Sequence, residues 1–310
     1  MNVSRAAISL VLLLAACGTS SGGAGVAGRL AVVVTTTQVG SIVEEIGGED
    51  VELTVLLQPG IEAHDFEMTP AAGAAVEEAD LILKSGAGLE SWLDDALETI
   101  GGPERVRDLS EGIVLRSTSR EAGAAEGRDG EEVDPHYWMS APNAIAMVEN
   151  ARGALAEAAP AAAPGIENRA KALIARLEAA DAETRALIDD IPAEHRAVVT
   201  DHDALGYFLD EYGLRFIGSV FSSLDVSAEP GAQEIEALVT AIRDEGIRAI
   251  FVESALNPRL AQAVADETDA TLVPEPLYTD SLGPDGSGAD TLDGMLLHNA
   301  RVLHDGLIGG

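Results

Sequence analysis

The sequence predicts an α/β protein of two (β/α) lobes with parallel sheets, joined by one long rigid linker helix. Three observations carry this expectation. From residue 30 onward, short runs rich in Val, Ile and Leu alternate with longer helical stretches, the pattern of buried parallel strands interleaved with covering helices. The alternation is interrupted once, by an alanine-rich helical stretch over 165–190, and then resumes. The 310 residues, 46% hydrophobic but only 4% aromatic, exceed what one hydrophobic core usually serves and suit two lobes of ordinary size.

Residues 1–16 read as a signal peptide. Arg5 supplies a positive start, and the apolar run over 6–14 is too short to span a membrane as a mature helix. The run ends in Leu14-Ala15-Ala16-Cys17, small residues directly before the only cysteine of the chain, and a Gly/Ser-rich tether continues to residue 29. This resembles a bacterial lipobox. The resemblance implies cleavage before Cys17 and lipidation of its sulfur, anchoring the chain to the outer face of the cytoplasmic membrane.

The N-terminal lobe is expected over 30–160. Strand 30–36 leads into a helix over 38–46 that stops at Gly47-Gly48, and strand 51–57 ends in the turn Gln58-Pro59-Gly60, which releases the chain toward His64. Thr69-Pro70 opens a helix to about residue 78, followed by strand 80–84, a helix over 91–100 and a fourth strand over 105–109. Periodicity then vanishes. Gly, Ser, Ala and acidic residues dominate 116–134, which reads as a mobile, solvated surface insertion without a histidine. Next comes Asp134-Pro135-His136-Tyr137-Trp138, a turn stiffened by its proline, with Ser140 or Asn143 able to start the helix over 144–158. His136 on such a turn suits a metal ligand, although a histidine beside two aromatics is more often a packed, hydrogen-bonded loop residue.

The linker, 161–192, holds the helix over 165–190, which Pro192 ends. At about 1.5 Å per residue it spans about 39 Å, enough to cross two packed lobes. The C-terminal lobe, 193–310, repeats the alternation with strands 197–200, 214–220, 249–252 and 271–273, helices 205–212, 233–245 and 258–267, and a closing helix from 292.

The formal net charge of -34, from 53 acidic against 19 basic residues, argues against nucleic-acid partners and points to a strongly solvated surface. Four loops at expected strand ends or helix starts each offer one candidate metal ligand: His64, His136, His202 and Asp280. In open α/β sheets ligands collect beyond the carboxyl ends of the strands, so an interlobe cleft would gather all four. Their spacings match no zinc finger or HExxH helix, and position alone does not settle the matter.

From about residue 30 to the end, the sequence resembles the metal-binding solute receptors of bacterial ABC transporters, the zinc and manganese group. Pro59-Gly60 with His64, Thr69 and Pro70 is similar to the first ligand loop of that family, and Asp134-Pro135-His136-Tyr137-Trp138 to its second. His202-Asp203-Ala204-Leu205-Gly206-Tyr207-Phe208 resembles the third, and Asp280-Ser281-Leu282-Gly283 with Asn299 the fourth. The resemblance implies two lobes joined by a rigid helix, an ion in the cleft between them, an ABC permease as partner, a monomer, and no enzymatic step. Ala63 departs from the proline or glutamate that often precedes the first ligand.

Three imidazoles and one carboxylate suit Zn²⁺, whereas Mn²⁺, the alternative, prefers more oxygen; a glutamate at position 202 would have pointed to manganese. A zinc hydrolase is the competing class, since three histidines can leave a fourth position open for water. Asp280 closing the set argues against it. Asp203 and Glu253 are candidates to orient the histidine rings, or else ordinary loop or capping carboxylates. His195, His298 and His304 read as surface histidines, and Trp92 and Trp138 as core anchors. Neutral imidazoles are needed for ligation, so capture is expected to weaken as pH falls through the histidine range.

Overall fold

Eight short strands form two four-stranded sheets, and each sheet is parallel throughout. They belong to a computed structural model that describes residues 28–61, 63, 66–117, 133–221 and 230–309. The first sheet has the order β2-β1-β3-β4, from β1 (Leu30–Val34), β2 (Val51–Val55), β3 (Leu81–Lys84) and β4 (Val106–Asp108). Helices α1 (Thr37–Gly47), α2 (Pro70–Glu78) and α3 (Ser91–Ile100) make the crossovers that parallel pairing requires. Val32, Val33 and Val34 are all buried, as expected of a strand covered on both faces.

Local chemistry sets the helix starts. Thr36 Oγ1 accepts from Val39 N at 3.3 Å to cap α1, and Thr69 Oγ1 accepts from Ala72 N at 3.2 Å ahead of Pro70 in the first position of α2. Gly40 lets α1 lie close on the sheet, because a Cβ there would come within 2.9 Å of the Val55 side chain.

The second sheet repeats the plan as β6-β5-β7-β8, from β5 (Ala197–Thr200), β6 (Arg215–Ser219), β7 (Ala249–Phe251) and β8 (Thr271–Leu272). It carries α6 (Gly206–Tyr212), α7 (Ala232–Glu245) and α8 (Arg259–Glu267). Between the sheets run α4 (Ala141–Ala158) and α5 (Ala163–Asp190), the latter 28 residues long and starting two residues before the expected position. Ile166, Ala170, Leu173, Leu177, Ala180, Thr184 and Ile188 are its buried stripe, spaced by three and four.

α5 does not join the lobes alone. The closing helix, α9 (Leu292–Gly309), packs along α5 and also touches α1 and α4. A single hydrophobic cluster therefore runs from Val32 and Ile42 through Leu173 and Leu177 to Leu296, Leu303 and Phe251. Among the described residues no helix is long and apolar enough to cross a membrane. The expected signal peptide, Cys17 and the tether as far as residue 27 lie outside the described residues.

The insertion over 116–134 departs from expectation at its rims. Asp134 N donates to Arg116 O at 3.0 Å, and Ser117 and Val133 form an antiparallel bridge. Asp134 is buried rather than solvated, because its carboxylate has both a guanidinium and an imidazole to pair with. Residues 118–132 lie outside the described part.

The excess of carboxylates over cations leaves net repulsion across the surface, which salt screens over about 10 Å at 0.1 M and about 3 Å at 1 M. The melting midpoint should therefore rise between about 0.05 and 1 M NaCl, by about 2–4 °C for each kcal/mol of repulsion removed. A midpoint that falls on adding salt would mean that ion pairs outweigh the repulsion.

Candidate metal site

His136 is held by the residues that follow it. Tyr137, Trp138 and Met139 form one buried 3₁₀ turn; the Tyr137 hydroxyl donates to Ser85 O at 2.6 Å and Trp138 Nε1 to Thr279 O at 2.9 Å. Ser85 is itself fixed by Glu90, a buried carboxyl that accepts from Ser85 N at 2.7 Å, Gly86 N at 2.9 Å and Thr35 Oγ1 at 2.7 Å. Burial pushes the Glu90 carboxyl up to about 7, against those hydrogen bonds. Trp138 is thus the expected core anchor with a polar tether, and the histidine turn is rigid.

Each histidine has a carboxylate behind its ring. Asp134 Oδ1 accepts from His136 N at 3.0 Å and lies 2.9 Å from His136 Nδ1. Asp201 Oδ1 accepts from His202 N at 3.0 Å and lies 3.5 Å from His202 Nδ1, while Asp201 Oδ2 accepts from Glu253 N at 2.8 Å. With Nδ1 facing a carboxylate, each ring turns Nε2 toward the cleft.

Asp280 lies between the two Nε2 atoms. Oδ1 is 2.8 Å from His136 Nε2, and Oδ2 is 3.2 Å from His202 Nε2. The three side chains are buried, and their ligand atoms lie within 4.8 Å of one another. These contacts are close enough for ion pairing but are not aligned as hydrogen bonds, so among the described residues the Asp280 oxygens have no hydrogen-bond donor. Buried oxygens in that position are what a cation would satisfy.

The electrostatics follow from the same contacts. Burial works against charge on His136, but Asp280 and Asp134 prevail and hold its pKa up to about 10. His202 is likewise raised well above the ordinary histidine range by Asp280 and Asp201, against burial. Burial opposes ionisation of Asp280, yet the two rings hold its carboxyl well below the usual carboxylate range. Both shifts favour the protonated rings, so the proton competition anticipated for the ordinary histidine range extends to higher pH.

The Asp280 loop is fixed from both sides. Gln38 Nε2 joins Trp138 in donating to Thr279 O at 2.9 Å, Leu282 N donates to Thr37 Oγ1 at 2.9 Å, and Gly60 N donates to Ser281 Oγ at 3.0 Å. Asn299 on α9 brackets Tyr278, accepting from its N–H at 2.9 Å and donating to its carbonyl at 2.6 Å.

Of the four expected ligands the structure brings together His136, His202 and Asp280; His64 lies outside the described residues. By sequence, Glu253 and Asp203 are candidates either for ring partners or for ordinary loop and capping carboxylates. Glu253 accepts from Thr279 N at 3.2 Å and Ala255 N at 3.1 Å rather than from an imidazole, and burial beside Asp280 raises it to about 8. Asp203 is half-buried, its pKa raised by burial and by Asp134. The carboxylates on the rings are Asp134 and Asp201, which sequence reasoning passed over. The Asp-Pro-His order carried a signal for Asp134, since an Asx side chain readily caps a backbone N–H two residues on. His298 donates to or accepts from nothing in the cleft; its Nε2 lies 2.9 Å from Pro276 O.

Residues 32–306 match the family described as the periplasmic zinc-uptake complex component A, ZnuA. The manganese-binding lipoprotein MntA of Bacillus subtilis is 32% identical over 294 residues, 94% of each chain. The iron-binding protein YfeA of Yersinia pestis is 31% identical over 254 residues, 82% of this chain and 78% of YfeA. Among solved structures, the periplasmic zinc-binding protein TroA of Treponema pallidum superposes with a TM-score of 0.80 at 28% identity, covering 90% of this chain and 99% of TroA.

Proposed function

The chain belongs to the ZnuA family, metal-binding receptors of ABC transporters and not enzymes, and from that premise we propose that it captures Zn²⁺ outside the cytoplasmic membrane for delivery to a permease. His64, His136, His202 and Asp280 are the proposed ligands. The observation that carries this reading is the convergence of ligand atoms from His136, His202 and Asp280 within 4.8 Å, all buried, from elements on both sides of α5. The proposed domains are the N-terminal lobe over 30–160, the linker over 161–192 and the C-terminal lobe over 193–310.

Three imidazoles and a carboxylate are a nitrogen-rich set that favours zinc, and the general affinity order for divalent metals runs the same way. Manganese is the second reading, favoured by the similarity to MntA of Bacillus subtilis. Metal analysis of protein purified without added metal, followed by competition between the two ions, decides between them: zinc should displace manganese, and retained manganese would reverse the order. Cys17 is the proposed lipid anchor and the chain a proposed monomer.

His136→Ala should weaken zinc binding at least tenfold, about 1.4 kcal/mol, in chelator competition. An unchanged affinity would remove His136 from the site.

The raised histidine pKa values also set a direction for pH. The carboxylates favour protonated rings, which must be neutral to bind through Nε2, so protons compete with the ion and affinity falls as pH falls. Protons should be released as the ion binds, read by calorimetry in buffers of different ionisation heat, and affinity should go on rising above pH 7. Release of no protons would contradict this competition.

A further inference from the structure

Arg116 stands where the N-terminal lobe meets α6 of the C-terminal lobe. Its Nη1 lies 2.8 Å from Asp134 Oδ2, and its Nε lies 3.0 Å from Asp210 Oδ2 on α6. The guanidinium also lies over the Tyr207 ring, 5.4 Å from its centroid. The backbone completes the enclosure: Arg116 N donates to the Tyr207 hydroxyl at 2.8 Å, and that hydroxyl donates to Asp134 O at 2.9 Å. Gly206, the first residue of α6, leaves room for the guanidinium, since a Cβ there would fall 1.3 Å from Nη1 and 2.9 Å from Asp134 Oδ2.

These contacts form a continuous path. The free oxygen of the Arg116–Asp134 pair, Oδ1, is the one that holds His136 N and Nδ1. At the other end, α6 begins four residues after His202, so the mounting of each histidine is tied to the other through one forked side chain. We infer that Arg116 is a positioning residue, an interlobe clasp that keeps His136 and His202 at ligand spacing and thereby slows the loss of a bound ion. This rests on the receptor reading above and adds to it a residue that touches no ion.

A simpler role would be neutralising the buried Asp134 carboxylate. The two roles separate because a lysine keeps the charge but cannot fork between two carboxylates. Asp210, with a side chain 45% exposed, is the partner on the C-terminal side of the fork. The test loads the full chain with one equivalent of zinc and follows release to a fluorescent chelator in stopped flow. Thermal melting of each ion-free variant checks the fold.

Arg116→Lys should release zinc about tenfold faster, the low end of the loss seen when outer partners of metal ligands are removed. Asp210→Asn should release it about threefold faster, as suits an ion pair with one exposed partner. The double variant should be no faster than Arg116→Lys alone, because both changes break the same link. Parent-like release from both single variants, or effects that multiply in the double one, would overturn the clasp. Should Arg116→Lys melt early, Asp210→Asn decides. A parent chain that holds neither zinc nor manganese would instead defeat the receptor reading itself, and the clasp with it.

Discussion

The arrangement of this molecule depends on one buried carboxylate. Asp280 has almost no access to water, and a carboxylate so placed is tolerable only if positive charge meets it where it stands. Two imidazoles supply that charge, and each is backed by a second carboxylate, Asp134 or Asp201, so the pocket alternates negative and positive groups. A divalent cation that replaces the two ring protons leaves the total charge of this described set unchanged. Capture by exchange with those protons therefore need not bring new net charge into a low-dielectric interior.

That electrostatic economy places demands on the backbone. The rings must not swing, and each is fixed at Nδ1 by its carboxylate and at its backbone N–H by the same oxygen. The Asp280 loop belongs by sequence to the C-terminal half, yet Thr279, Ser281 and Leu282 are bonded to residues of the N-terminal half. With α5 and α9 packed along each other as well, large hinge opening would break many contacts at once, and local rearrangement is the less costly route for an ion to enter or leave.

Much of this was legible in the sequence. All eight strands and all nine α-helices of the described residues fall where Val/Ile/Leu runs, Thr-Pro starts and glycine stops place them, with boundaries shifted by a few residues. The histidine turn could be read because Pro135 and the aromatic pair leave it little freedom. The partners of the rings could not. Asp201, Asp203 and Glu253 are all carboxylates near a strand end, and which of them faces an imidazole depends on backbone torsions that residue type does not encode. Nor does any local pattern reveal that Arg116, at the margin of an aperiodic acidic stretch, reaches across to Asp210, or that α9 reaches α1 and α4 as well as α5. Contacts between segments far apart in sequence leave no periodic trace.

The position of α9 has a further consequence for how the pocket is held. Through Asn299 it secures Tyr278 and with it the approach to Asp280. Were that helix displaced from α5, the acidic arm between the rings would lose the support that Asn299 gives it. The integrity of the pocket is thus tied to a helix that contributes no ligand to it.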